Sequence, residues 1–225
     1  MKKLLILLAV MLIGTNVFAA GYSINIEASS KVDKEIKKAH EIGYKIMKDN
    51  NLRRAPIFVI PGNKTINAYS DPYSKTVRIY TGLLPYLDND DEWAYIISHE
   101  LSHSMEAYDG FVKIAAMSFN SKKYEYKADL NGIDYMVKAG YNPVAAIIAA
   151  DKINPEPSWD WASTHPKGSK RMLEMYKYIY VKYPQYLNSP MTGNIIYRNF
   201  LSRQSTDIKK FEQQYAKRRL KKESI

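Results

Sequence analysis

The chain has 225 residues, 46% of them hydrophobic and 25% charged, with a formal net charge of +10. That length suits one domain with a real core and is short for two, so one compact domain over residues 21–225 is expected. The absence of cysteine excludes disulfides, thiolate metal ligands and a lipid on an N-terminal cysteine, leaving packing and any bound metal to stabilise the fold.

The first 20 residues read as a secretory signal peptide. Lys2 and Lys3 form a basic start, Leu4 to Ile13 an apolar run, and Val17-Phe18-Ala19 a small-residue cleavage site. The apolar run breaks at Gly14, well short of the roughly 20 residues that span a bilayer. Cleavage near Ala19 or Ala20 then yields an exported protein, periplasmic or secreted, with its charge reduced to +8 by the loss of Lys2 and Lys3.

Val32, Ile36, Ala39, Ile42 and Ile46 recur at spacings of three and four after Ser29 and Ser30, which predicts an amphipathic helix with serine caps. His40 falls on it without ligand-spaced partners and is expected at a surface or boundary. Three extended runs follow: Ala55 to Ile60, Thr65 to Ser70 and Lys75 to Thr81. Pro61-Gly62-Asn63 and Asp71-Pro72 separate them, and the pattern predicts a small antiparallel sheet. A short helical turn begins at Gly82-Leu83-Leu84. Asp88 to Asp91 then supply caps and first-turn acids for a helix through Trp93, Ile96, Ile97 and Leu101, expected to end by Asp109-Gly110.

Another helix is expected from about Tyr124 to Ala139, closed by Gly140, and a further one starts at Asn142-Pro143 and breaks at Asn154. Met172, Met175, Ile179 and Val181 mark a periodic segment ending near Pro184. From Asp207 a basic helix carries Phe211, Tyr215 and Leu220 near one face. Its cations suit contact with an anionic membrane surface, whereas the chain holds no base-reading motif that would point to nucleic acid. The fold class is α+β, mostly helical with a small sheet.

The chemistry lies in ISHELSHSME, Ile97 to Glu106. On a helix His99 and His103 project from one face a turn apart, so both imidazoles reach one metal, and Glu100 can face a water beside it. This is the HExxH arrangement, in which zinc lowers the water pKa to about 7 and the glutamate takes its proton. Glu106 and Asp109 stand where the metzincin pattern requires glycine and histidine, which excludes that subclass. A second helix offers Glu125 and Asp129, four apart on one face. Glu125 would complete a site of two histidines, a carboxylate and a water. Asp129 would accept a hydrogen bond from the other nitrogen of a ligand histidine.

HELSH followed by EYKAD resembles the HExxH and ExxAD pair of the gluzincin metallopeptidases that include the HtpX-like heat-shock proteases and CAAX prenyl protease 1, metallopeptidase family forty-eight. INAYS, VRIYTGLL, AGYNP and THPKGSKRM resemble further segments of that family in the same order, from Ile66 to Met172. The resemblance implies a zincin-like fold, one zinc ion per chain held by His99, His103 and Glu125, Glu100 as general base, and Asp129 behind the ligands. It also implies a site role for His165, as oxyanion donor or as a resting-state cover, with Arg171 bracing that segment through a carboxylate. Asn67, Ala68 and Tyr69 would form an edge strand along the cleft, with Tyr69 a candidate second oxyanion donor. The integral members' membrane helices have no counterpart here, so membrane-embedded and prenylated substrates do not carry over. The expected activity is endopeptidase cleavage of cell-envelope or secreted proteins. The alternative is a latent or vestigial zinc-stabilised, chaperone-like binding protein of the cell envelope. The sequence does not specify an oligomeric state.

Overall fold

A computed structural model describes residues 31–52, 56–71, 73–107, 120–153 and 168–223. The expected signal peptide, Ser29, Ser30, Ala55, the expected breaks at Asp109-Gly110 and Asn154, and His165 lie outside the described residues. Within them the fold is α+β and mostly helical: α1 Lys31–Asp49, β1 Ile57–Val59, β2 Ala68–Asp71, β3 Thr76–Ile79, α2 Asp90–Ala107, α3 Ser121–Lys138, α4 Val144–Ile153, α5 Gly168–Lys182, α6 Ile195–Arg203 and α7 Ser205–Glu223. Short 3-10 turns occupy Leu84–Tyr86, Pro184–Asn188 and Pro190–Gly193. None of the described helices is long and apolar enough to cross a membrane.

The sheet is mixed, in the order β1-β3-β2. β2 and β3 pair antiparallel, with Tyr69 opposite Arg78, as the hairpin signal at Asp71 predicts. Here the Asp71 carboxylate accepts from the backbone N–H groups of Tyr73 and Ser74. β1 pairs parallel to β3, which corrects the fully antiparallel expectation. The chain passes from β1 to the far edge before the hairpin returns it to the middle, so β3 arrives beside β1 running the same way. Gly82 sits where this crossing is tightest: a Cβ there would run into the carbonyls of Lys64 and Thr65.

α2 is the central element, with α1, α3, α4 and β2 all packed on it. Its start is a reciprocal cap. Asn89 Oδ1 accepts from Glu92 N at 3.0 Å, and the Glu92 side chain accepts from Asp88 N at 3.0 Å. Lys152 at the end of α4 binds both Asp88 and Glu92 (2.6 and 2.7 Å), fixing the two helices end to end. Trp93, Ile97 and Leu101 on α2 join Phe58, Ile79, Ile133 and the apolar run Val144 to Ala150 of α4 in one core.

Asn142 caps α4 as expected, its Oδ1 accepting from Val144 N at 3.0 Å. Its own N–H donates to Asp91 at 2.8 Å, and Nδ2 reaches Ser189 Oγ at 2.9 Å. Replacing Asn142 by Ala removes both side-chain bonds, so a loss of about 1–2 kcal/mol in denaturant unfolding is expected.

Three of the apolar positions expected on buried faces lie outside the core, the first being Val32 in the opening turn of α1. Val181 is 47% exposed because it lies two residues past Ile179, off the buried face of α5. Leu220 is 67% exposed, because residues 216–221 of α7 are exposed throughout; Phe211 and Tyr215 earlier in that helix do pack on Tyr180, at 5.6 and 5.7 Å between ring centroids. α6 had no counterpart in the sequence reading. Pro184 and Pro190 masked the short apolar period of Ile196, Tyr197 and Phe200 that follows them. His40 is half-buried, as a boundary residue should be, its ring edge-on to Phe58.

Candidate metal centre

Two neighbouring helices supply the site. α2 carries His99, Glu100 and His103, and α3 carries Glu125 and Asp129. Gly132 lets the helices meet closely, since a Cβ at that position would stand only 3.3 Å from His99 N. One turn of α3 beyond Asp129, this small residue sets how near the carboxylates come to the histidines.

His99 Nε2 and His103 Nε2 lie 3.2 Å apart, His99 Nε2 lies 3.5 Å from Glu125 Oε2, and His103 Nε2 lies 3.1 Å from Glu125 Oε1. A tetrahedral zinc ion with ligand bonds of roughly 2.0–2.1 Å needs donors about 3.3 Å apart along each edge. The two nitrogens lie about one such edge apart and each has a Glu125 oxygen at a similar distance, and together the three side chains form a group that could hold a metal ion. Nitrogen and carboxylate donors without thiolate suit zinc and other first-row divalent ions.

Behind the ligands stands a dense network. His99 Nδ1 lies 3.0 Å from Asp129 Oδ1, which fixes the ring with Nε2 toward the triangle. Asp129 also accepts from Tyr95 OH at 3.0 Å and from Arg171 Nε and Nη2 at 2.7 and 2.6 Å. Arg171 Nη1 reaches Glu125 Oε2 at 3.0 Å, so one guanidinium braces both carboxylates. Arg171 was expected to brace the segment around His165 through a carboxylate; the carboxylates it meets are those of Glu125 and Asp129, and His165 lies outside the described residues.

The electrostatics follow from burial and pairing. Burial opposes ionisation of Asp129, but the charge and hydrogen bonds of Arg171 and the bond to His99 outweigh it and hold the carboxyl at about 2. Burial likewise opposes a charged His99, yet the bonds to Asp129 and Glu125 outweigh it and lift the imidazole to about 10. Tyr95 is pushed well above the usual phenol range, first by burial and then by the Asp129 charge. The carboxylates around His99 thus favour positive charge at that imidazole.

Glu100 is 3% exposed and lines, with His99, a pocket between α2, α4, α5 and β2. Ala68 lines the same pocket from β2. Among the described residues β2 pairs only with β3, and Asn67 immediately precedes it. Strand alternation turns Tyr69 the other way: its ring packs edge-on to Tyr80 and lies under Arg78. The Tyr69 side chain is not brought to the cluster as an oxyanion donor. Glu106, at the position that excluded the metzincin pattern, pairs with Lys127 and ties α2 to α3.

A sequence profile described as Peptidase family M48 matches residues 33–117 and 105–179, which together take in the sheet and α1 through most of α5. The chain belongs to peptidase family M48. One relative, the mitochondrial metalloendopeptidase OMA1 of Arabidopsis thaliana, is 29% identical over 136 residues, covering 47% of this chain and 28% of that protein. The match thus spans little more than a quarter of the relative's length.

Family membership makes the matched region a metallopeptidase domain. It leaves the last three residues of α5 and all of α6 and α7 outside the matched residues. Sequence reasoning missed Tyr95 and Gly132 in this M48 site. The first was legible in principle, four residues before His99 on the same helical face. The second has no local signal, because a mid-helix glycine reads as a weakness until its neighbour is known.

Proposed function

We propose that the protein is an exported, zinc-dependent endopeptidase acting on proteins of the cell envelope or secreted proteins. The observation that carries this reading is the closed triangle of His99, His103 and Glu125, at zinc-compatible spacing, with the buried Glu100 on the same helix beside it. His99, His103 and Glu125 would hold the zinc, which would supply Lewis acidity toward a carbonyl and lower the pKa of water toward neutral.

The residues of the chain do the rest. Glu100 accepts the proton of the attacking water and passes it to the leaving amine. Asp129 keeps His99 in the tautomer that presents Nε2 to the metal, and Arg171 holds Glu125 against rotation. The edge of β2 at Asn67 and Ala68 offers backbone groups to an extended peptide, and His165 is the proposed donor to the oxyanion. Export rests on the signal-peptide pattern of residues 1–20. The cations of α7 suit an anionic membrane surface near which such a protein would work.

Metal analysis with a casein assay tests the core of this reading. Purified protein is expected to carry about one zinc per chain. A strong chelator should abolish casein cleavage, stoichiometric zinc should restore it, and the metal-free form should melt at lower temperature. Casein cleavage that persists at full rate after metal removal would refute the proposal.

A further inference from the structure

Three helices meet at the buried carboxylate of Asp129, and α2 reaches it twice. Tyr95 OH donates to Asp129 Oδ1 at 3.0 Å, and His99 Nδ1 lies 3.0 Å from the same oxygen. Tyr95 and His99 stand four residues apart, about one turn of α2, so both side chains leave the same helical face. From α5, Arg171 grips both oxygens of the carboxylate, Oδ2 through Nε and Oδ1 through Nη2. Asp129 itself belongs to α3 and is fully buried.

The Tyr95 hydroxyl is not needed to neutralise Asp129, because the Arg171 guanidinium does so with two short, charge-assisted bonds. Packing does not need it either. Tyr95 is 2% exposed, and a phenylalanine would fill the same space without burying a hydroxyl. What Arg171 leaves open is where the carboxylate sits along α2, since the guanidinium comes from another helix. Tyr95 supplies that link. Its bond holds Oδ1 beside α2, one turn before His99, whichever way the imidazole is turned. Its ring stands next to that imidazole, with centroids 5.9 Å apart and planes at 53°. Phenylalanine keeps the ring, so Tyr95→Phe isolates the hydroxyl.

We propose that Tyr95 is a positioning residue for the metal: its hydroxyl places Asp129, which in turn sets His99 with Nε2 toward Glu125 and His103 before an ion arrives. A site arranged in advance spends less of its binding energy on ordering its own ligands, so it holds zinc more tightly. The inference rests on the zinc-dependent reading above and adds to it a residue that governs how firmly the metal is kept.

The test measures zinc affinity of the metal-free full chain by competition with a chromophoric chelator. Wild type, Tyr95→Phe, Asp129→Asn and the double variant are compared, with each affinity counted per folded chain from circular dichroism of the same sample. Tyr95→Phe should bind zinc about tenfold more weakly, as expected when the hydrogen-bonded support of a metal-binding histidine is loosened. In the Asp129→Asn background the same change should have little further effect, because the path through Asp129 is already broken. A hydroxyl that served the fold alone would lower the melting temperature of the metal-free protein and leave the affinity of the folded chain where it was. If Asp129→Asn does not fold, the comparison of wild type with Tyr95→Phe decides by itself.

Zinc binding by Tyr95→Phe as tight as wild type or tighter, or a loss that persists in full in the Asp129→Asn background, would overturn this inference and leave the peptidase reading standing. A wild-type chain that binds no zinc would overturn both.

Discussion

Glu100→Gln is expected to retain zinc and the native fold while losing a factor of about 100 to 10,000 in peptide hydrolysis, the range typical of a lost general base. The substitution keeps shape and a hydrogen-bonding end but removes the charge that receives a proton. Glu100 is not among the three donors of the metal triangle, so the triangle survives its change. The expected loss corresponds to about 3–5 kcal/mol of transition-state stabilisation. Three measurements check it together: casein or quenched-peptide turnover, zinc per chain, and the melting temperature. Turnover at the wild-type rate in a zinc-replete Glu100→Gln protein would remove this residue from the chemistry and with it the proposed mechanism.

Arg171→Met should be among the most destabilising single changes in the protein. Arg171 is 5% exposed and holds two buried carboxylates, Asp129 at 2.6 and 2.7 Å and Glu125 at 3.0 Å. Methionine fills much of the volume but leaves those charges without their fixed cation. Removing one partner of a buried pair costs about 3–5 kcal/mol, which for a chain of this size is a fall of roughly 10 °C or more in melting temperature. Lysine should rescue little, because one ammonium cannot reproduce the forked contacts to both carboxylates.

The same prediction has a metal arm and a pH arm. Zinc restores positive charge beside Glu125 and His99, so the variant should regain more stability on zinc addition than the wild type does. Asp129 sits at about 2 in the fold against an ordinary 3.8. Its ionised form therefore stabilises the native state above about pH 4, and that contribution is lost as pH falls toward 2. The gap between wild type and Arg171→Met should accordingly be full near neutral pH and should narrow in acid. A gap that is constant with pH would mean that Arg171 acts by packing rather than through Asp129.

Much of this architecture was legible because local rules and global fold agree. The Asn142-Pro143 start, the Gly140 stop at φ +79° and the four-residue spacings of His99 with His103 and Glu125 with Asp129 all depend on neighbours within one helical turn. The parallel pairing of β1 with β3 was not legible in that way. Strand direction depends on where the chain crosses the sheet, and extended runs with turn signals are the same for either crossing. Leu220 shows a related limit: it lies near the face of Phe211 and Tyr215, but only the position of the neighbouring helices decides whether anything covers it.

The sequence by itself determined the ingredients of the site: which side chains share a helical face, which carboxylate stands beside them as the candidate base, and which neighbours rule out a metzincin. These are consequences of the 3.6-residue period and of side-chain chemistry, neither of which needs a distant partner. Tertiary structure alone decided that the two faces meet with donors about one tetrahedral edge apart, because that distance is set by the backbone contact of Gly132 with His99 across two helices. It alone gave Arg171 to Glu125 and Asp129, 46 and 42 positions away in the chain, and turned Tyr69 away from the pocket that Ala68 lines. Packing of buried surfaces settles such choices, since a buried charge must find its partner wherever the fold brings one within reach.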